Sequence, residues 1–473
     1  MTKTSLTVLA AALLSACSLA PTYQRPAAPV AEQFPAALPA GGATPPGPVT
    51  AGRAAVDIGW REFFTDERLQ QLIATALENN RDLRTAALRI EEARGAYRIQ
   101  RADRLPTLNA TLSETRGRTP GFANGTGQSM VGERFDAGVG ISAFELDYLG
   151  RVKSLSDAAL ANYLATDEAR QTAQISLVAE VAKAYFTERA FAEQYDLAQR
   201  TYEARKRTYD LTKQRMDVGA SSLLDLRSNE QLMETARASA LALARQRAQA
   251  ENALTLLVGA PPKSAAAGNM ASDEQIDAMS AVPEGLPSDL LARRPDIRAA
   301  EQRLKASNAN IGAARAAFFP RISLTTAIGS ASPSFSQLFD GGNSTWSFVP
   351  QLTLPIFDTG RNSANLDVAN VRKNIAVSDY EKTIQVAFRE VADALAARSY
   401  LGDQVAAQRA VQDAQAERLK LLQLRFENGV ASSLDVLDAQ RELFSAEQAL
   451  VQARLLRTTS AIDLYRALGG GMK

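Results

Sequence analysis

The sequence predicts a mainly helical chain, duplicated within itself, whose four short strands form a membrane β-barrel only when several copies combine. Three observations carry this reading. The same landmarks recur at a fixed offset of 210 to 214 residues. Long stretches contain almost no helix breakers. Four segments alternate apolar with small polar residues at period two. Composition agrees: 46% of the 473 residues are hydrophobic but only 6% aromatic, the profile of Ala-rich helices.

Composition also narrows the chemistry. There is no His and one Cys. Ser-His-Asp and Cys-His catalysis, imidazole or thiolate zinc sites and an internal disulfide are therefore excluded, and no enzyme activity, metal or cofactor is expected. With 53 basic and 52 acidic residues the formal net charge is +1. A nucleic-acid partner is not expected, since such binders carry a basic excess.

The N-terminus comes first in order. Lys3 precedes an apolar stretch from Ser5 to Leu14, too short for a membrane helix, which needs about 20 residues. It ends in Leu14-Ser15-Ala16-Cys17. Small residues before a Cys look like a bacterial lipoprotein signal, with residues 1–16 removed and a covalent lipid on Cys17. The alternative is an ordinary signal peptide cut after Ala16, leaving a free thiol. Ser18 follows, not the Asp that resembles an inner-membrane retention signal, so the outer membrane is the expected destination. Removing residues 1–16 takes away one Lys and leaves 52 basic against 52 acidic residues. No other apolar stretch is long enough for a transmembrane helix. Residues 17–56, rich in Pro, Ala and Gly, read as a lipidated extended tail.

Two copies of one grammar follow, a first repeat over 57–265 and a second over 288–473, joined by a linker at 266–287. Asp82-Leu83-Arg84 matches Asp296-Ile297-Arg298 at an offset of 214. Gly150-Arg151 matches Gly360-Arg361, Gly219 matches Gly429 and Leu224-Asp225 matches Leu434-Asp435, all at 210. The four-residue difference is expected in a longer loop of the first copy. Each copy opens with a helix, Asn79–Arg104 and Ser288–Phe318, stopped by a Pro.

Strands come next. Their apolar faces hold Leu108 and Leu112; Phe135, Val139, Ile141 and Ala143; Ile322, Leu324 and Ile328; and Trp346, Phe348 and Leu352. Pro350 and Pro355 fall in the fourth segment. Four strands cannot close a barrel, and open edges in lipid leave backbone groups unpaired. Two copies would give eight strands with almost no lumen; three would give a twelve-stranded barrel with room to conduct.

Long helices complete each copy. Between Arg151 and Val258 the only Gly is Gly219, so Arg151–Asp217 reads as one helix or two stacked ones, roughly 100 Å at 1.5 Å per residue. Gly219 and Gly429 read as C-caps at hairpin tips. Ser222 and Ser432 are the N-caps of returning helices, with Asp225 and Asp435 three residues on. The second returning helix carries the seam Val436, Ala439, Leu443, Ala446, Leu450 and Ala453. The first has a weaker one: Leu226, Met233, Ala236, Ala240 and Leu243. The helices fit either a soluble antiparallel coiled coil or a ring around a wet channel; the strands favour the ring.

These residues resemble the outer-membrane factors of tripartite efflux systems, the TolC-like ducts, in their lipoprotein branch. The carriers are Cys17 through Pro26 (CSLAPTYQRP), Trp60 through Phe64 (WREFF), Leu291 through Glu301 (LARRPDIRAAE), Ala317 through Pro320 (AFFP) and Leu434 through Gln440 (LDVLDAQ). The resemblance implies a homotrimer whose twelve-stranded β-barrel continues into a periplasmic α-barrel. Its implied partners are a periplasmic membrane-fusion adaptor, an inner-membrane RND transporter and outer-membrane lipid. It implies passive conduction of drugs or other small molecules, the exit duct of a type I protein secretion system being the alternative. It also implies a periplasmic gate at Leu434, Asp435, Asp438 and Asp225. Threefold copies of these carboxylates would raise one another's pKa. Ala431 stands where some ducts carry a bridging Arg, so a closed tip is expected to rest on Leu434 packing. Adaptor contacts fall on Gly219, Ala220, Ser221, Ser222, Gly429, Val430, Ala431 and Ser432.

Overall fold

The structure, a computed structural model, describes residues 18–34, 53–123, 125, 127–261, 270–283 and 287–472, with the side chains of 287–289 excepted. The signal segment 1–16, the lipid site at Cys17, much of the Pro-rich tail and part of the 266–287 linker lie outside the described residues.

The element order is α1 (Trp60–Phe63), α2 (Glu67–Asn79), α3 (Arg81–Ala102), β1 (Leu108–Thr119), β2 (Met130–Glu145), α4 (Arg151–Asp217), α5 (Leu223–Val258), α6 (Asp273–Ser280), α7 (Pro287–Arg293), α8 (Pro295–Ala316), β3 (Arg321–Ser332), β4 (Ser344–Thr353), α9 (Arg361–Glu427) and α10 (Ser433–Ala467). The duplication is visible element by element. α4 and α9 are each one unbroken helix of 67 residues. α3 and α8 each have 22. Both long helices begin under an Asp: Asp147 accepts from the Val152 and Lys153 amides, and Asp358 from the Gly360 and Asn362 amides.

Three expectations are corrected. The helix predicted over Asn79–Arg104 breaks at Asn80, whose amide bonds back to Ala76 while its Oδ1 accepts from the Leu83 amide at 2.9 Å. Asn80 thus ends one helix and caps the next. The helix predicted over Ser288–Phe318 breaks at Arg294 and ends at Ala316. Pro295 explains the break, because a residue before Pro is pushed out of the helical region and Pro suits the first helical position. The extra length of the first copy is not in its hairpin loop. The loops span 120–129 and 333–343, whereas β2 has 16 residues against 10 in β4.

The chain divides into two compact units, each drawing on both copies of the repeat. One contains residues up to Ala27, Arg89–Thr166 and Ala299–Tyr380, and so holds the strands. Its helices meet through small residues, Ala158 and Ala161 of α4 against Ala306 and Ala309 of α8. The other contains Ala28–Leu88, Asp167–Arg298 and Glu381–Lys473. There Ala198, Ala240 and Leu243 pack with Phe191, Tyr195 and Phe444. The predicted seams are inward: Ala236, Ala240 and Leu243 of α5 and Ala439, Ala446, Leu450 and Ala453 of α10 are buried. Small seam residues let helices approach closely.

Among the described residues no helix is long and apolar enough to cross a membrane.

Candidate channel site: membrane strands and hairpin tips

The four strands form one antiparallel sheet in the order β1-β2-β3-β4. The pairing of β2 with β3 joins the two copies, Val139 facing Ile328 and Gly138 facing Gly329. Paired residues share a face, so register assigns the faces without reference to sequence pattern. Across the sheet run Leu108–Ile141–Thr326–Phe348 and Ala110–Val139–Ile328–Trp346, with Ile322–Leu352 closer to the helices. Of the twelve predicted apolar positions, all but Ala143 lie on this one face. Leu108, Leu112, Val139, Ile328, Trp346, Phe348 and Leu352 are exposed, and Phe135, Ile141, Ile322 and Leu324 are half-buried. Trp346 is 80% exposed, a location that water does not favour for so large a ring.

Ala143 leaves that face. A bulge lies between Ile141 and Phe144, Ala143 has φ +50°, and Phe144 pairs with Leu324 in its place. A bulge moves every later side chain by one position, which period-two counting does not register. Pro350 lies in β4, an edge strand where a missing N–H is tolerated. Pro355 lies beyond the strand, which ends at Thr353.

The opposite face is small and crowded. A Cβ on Gly140 would come within 2.5 Å of the Thr326 carbonyl oxygen, and one on Gly329 within 2.2 Å of that of Ala137. Backbone that close leaves no room for a side chain. The sheet therefore curls toward this face, making it the concave one and the apolar face convex. The apolar band ends at an ion pair on the same convex face, Arg116 to Glu133 at 3.0 Å.

The hairpin tips belong to the second unit. Gly219 and Gly429 have φ of +76° and +72°, the left-handed conformation of a helix C-cap. Ala220 and Val430 amides close the turns on the Arg215 and Arg425 carbonyls. Both returning helices open with full capping boxes, Ser222 with Asp225 and Ser432 with Asp435. Of the predicted contact positions, Ser221 and Ala431 are half-buried; Gly219, Ala220, Ser222, Gly429, Val430 and Ser432 are exposed. Apolar side chains that the small-residue reading passed over stand beside them: Val218, Leu223 and Leu224 are 79%, 60% and 77% exposed.

The four predicted gate residues occupy different settings. Leu434 is 69% exposed, so within one chain the tip does not rest on its packing. A polar bond holds it instead: Ser433 Oγ donates to Asp225 Oδ1 at 3.0 Å. Hydrogen bonds from Ser222 and Ser433 hold the Asp225 carboxyl below the usual range. Bonds from Ser432 do the same for Asp435. Within the chain both shifts run opposite to the upward one expected from rings of like charge. Asp438 is gripped by Arg418 at 3.2 Å and Arg441 at 2.6 Å. Arg418 and Asp438 flank Gly429 at nearly equal distances in sequence, a signal a folded hairpin makes readable.

A curved sheet, apolar on its convex face and carried by duplicated helical hairpins, defines the protomer of an outer-membrane channel. The chain belongs to the outer membrane efflux protein family, whose model matches residues 72–260 and 286–470. Two proteins of Pseudomonas putida, the antibiotic efflux pump outer membrane protein ArpC and the toluene efflux pump outer membrane protein TtgC, are each 48% identical to it over 474 residues, covering 100% of this chain and 96% of theirs. The open state of the Neisseria gonorrhoeae MtrE outer membrane channel is 42% identical with a TM-score of 0.85, covering 97% of this chain and 99% of that one.

Proposed function

We propose that the chain is the outer-membrane exit duct of an RND-type efflux pump, conducting small molecules passively to the exterior. The observation that carries this is the one-sided sheet whose edge strands, β1 and β4, have no further strand beside them among the described residues, in a chain akin over its whole length to efflux outer membrane proteins. Each unpaired backbone group in lipid costs several kcal/mol, so the edges call for neighbours. Three copies closing a twelve-stranded barrel supply them and leave a lumen. In that trimer the small concave face lines the pore and the apolar face meets lipid. Leu434, Asp435, Asp438 and Asp225 then stand in threefold sets near the axis as the periplasmic gate. The hairpin tips, with exposed Val218, Leu223, Leu224 and Val430, receive a periplasmic adaptor, which links the duct to an inner-membrane transporter. Acylation of Cys17 adds a second hold on the outer membrane, since each buried lipid CH₂ contributes about 0.8 kcal/mol. ArpC and TtgC, named for antibiotic and toluene efflux, match this chain equally well; cargo choice therefore belongs to the pump.

Expression in cells lacking their own duct, with a matching pump and adaptor, tests the proposal. Lower accumulation of a fluorescent efflux substrate and a trimeric mass in detergent are expected. Unchanged accumulation together with a monomeric mass would refute it.

A further inference from the structure

Two of the sequence's motifs, 276 residues apart, meet at one buried carboxylate. Arg25 Nε and Nη2 donate to Glu301 Oε1 and Oε2 at 3.2 and 2.7 Å. Tyr23 Oη donates to Glu301 Oε1 at 3.1 Å, and Lys305 Nζ lies 3.2 Å from the same oxygen. Glu301 is only 5% exposed. A carboxylate so buried costs several kcal/mol unless paired, and three of its four bonds here come from the tail.

The contact continues along α8. Asn308 Nδ2 donates to the Pro21 carbonyl at 2.6 Å, and Arg315 Nη1 to the Leu19 carbonyl at 3.3 Å. Between them lies Gly312, where a Cβ would come within 2.6 Å of Ser154 Oγ on α4, 2.7 Å of Ala20 Cβ and 2.8 Å of Ala20 Cα. Positions 301, 305, 308, 312 and 315 step by four and three, so they share one helix face. As the tail runs back from Arg25 to Leu19, its contacts run forward along α8. Its N-terminal end therefore lies beside the last turn of α8, the turn that leads into β3.

We propose that this face of α8 is a docking track for residues 18–25. Glu301 is its positioning residue, holding the lipid-bearing end of the chain at the strand end of the helix. The inference rests on the reading of Cys17 as acylated. Without the clamp the lipid would hang on a loose Pro-rich tether; with it, a pull on the lipid is delivered to α8. Gly312 is the notch that lets the backbone lie flat.

Chymotrypsin cleavage after Tyr23 in the purified full-length protein tests this, read by the mass of the released N-terminal peptide. Cleavage is expected to be slow in the parent and faster by roughly tenfold or more in Glu301→Ala and in Gly312→Val, because proteolysis reads the population of undocked tail. Glu301→Gln, which keeps the shape, should fall between. Cleavage after the buried Tyr185, inside α4 and away from the clamp, should not change, which separates undocking from unfolding. Equal rates after Tyr23 in parent and both variants would overturn the track. The peptide's mass reports separately on Cys17: an unacylated peptide with a protected Tyr23 would sink the lipid reading and leave the docking standing.

Discussion

Ser433 and Asp225, 208 residues apart, share a hydrogen bond of 3.0 Å that ties the first turn of α10 to the first turn of α5. Asp225 also closes the capping box of its own helix through Ser222. One carboxylate therefore serves both a helix end and the link between two tips. Ser433→Ala should remove the link and spare the cap, while Asp225→Ala should remove both. In a planar bilayer we expect a larger closed-state leak from Asp225→Ala than from Ser433→Ala. Equal and unchanged leak in both would show that the link does not hold the tip.

Acid should loosen that link. Asp225 is held below its ordinary value, so its contribution to stability is complete above the unfolded carboxyl value of about 3.9 and is lost as pH falls through the folded value. The stability difference between the parent and Asp225→Asn should be flat above about pH 5 and shrink below about pH 4. Thermal unfolding at stepped pH reads it. A difference that starts to shrink near pH 6 would mean that crowding among like charges outweighs the serine bonds.

The two faces of the sheet should respond oppositely to charge. Ile328→Arg places a cation on the convex apolar face, at a cost of about 2–4 kcal/mol if it reaches the bilayer midplane. Ser347→Arg places it on the other face. The first should deplete the detergent-stable, membrane-inserted form on gels. The second should insert normally and change ion selectivity.

Curvature should depend on the glycines of the concave face. Gly329→Val requires side-chain atoms where the Ala137 carbonyl already lies, and overpacking costs about 1–3 kcal/mol at minimum. Folded yield from refolding into detergent should fall sharply for Gly329→Val. The exposed Gly117, with nothing within 4 Å of an added Cβ, should tolerate the same change.

Asn80→Ala should cost about 1–2 kcal/mol. It removes the cap on the Leu83 amide and the 2.8 Å bond from Nδ2 to the Leu257 carbonyl. Denaturant unfolding of the helical unit measures it, and Asn80→Asp, which keeps the cap alone, should recover part of the loss.

Much of this was legible from residue order because it is local. Capping boxes need only Ser and Asp three apart, tip glycines only a left-handed turn, and strand faces only alternation. The break at Arg294 carries its own signal, a following Pro, inside a pattern that otherwise reads as continuous helix, and Asn80 is a capping residue at the start of the helix expected from Asn79. The bulge at Ala143 left no such mark, since alternation runs through it unbroken. Asp225 falls near the tip by its spacing from Gly219, but its bond to Ser433 depends on how two distant helices pack. The tail motif and the Glu301 motif both stand out in the sequence; nothing in a linear reading says that one docks on the other.

The equal lengths of α4 and α9 bear on how such a chain is free to vary. One residue inserted into a continuous helix turns everything beyond it by about 100° and advances it by about 1.5 Å. An insertion in either 67-residue helix would swing one tip out of register with the other and carry Ser433 away from Asp225. Compensating insertions would have to arise in both copies and both arms together. The strands carry no such constraint along their length, and there the two copies already differ, with 16 residues in β2 against 10 in β4. Viable insertions and deletions should therefore gather on the membrane side of the chain, with the helical arms fixed in length like paired rulers.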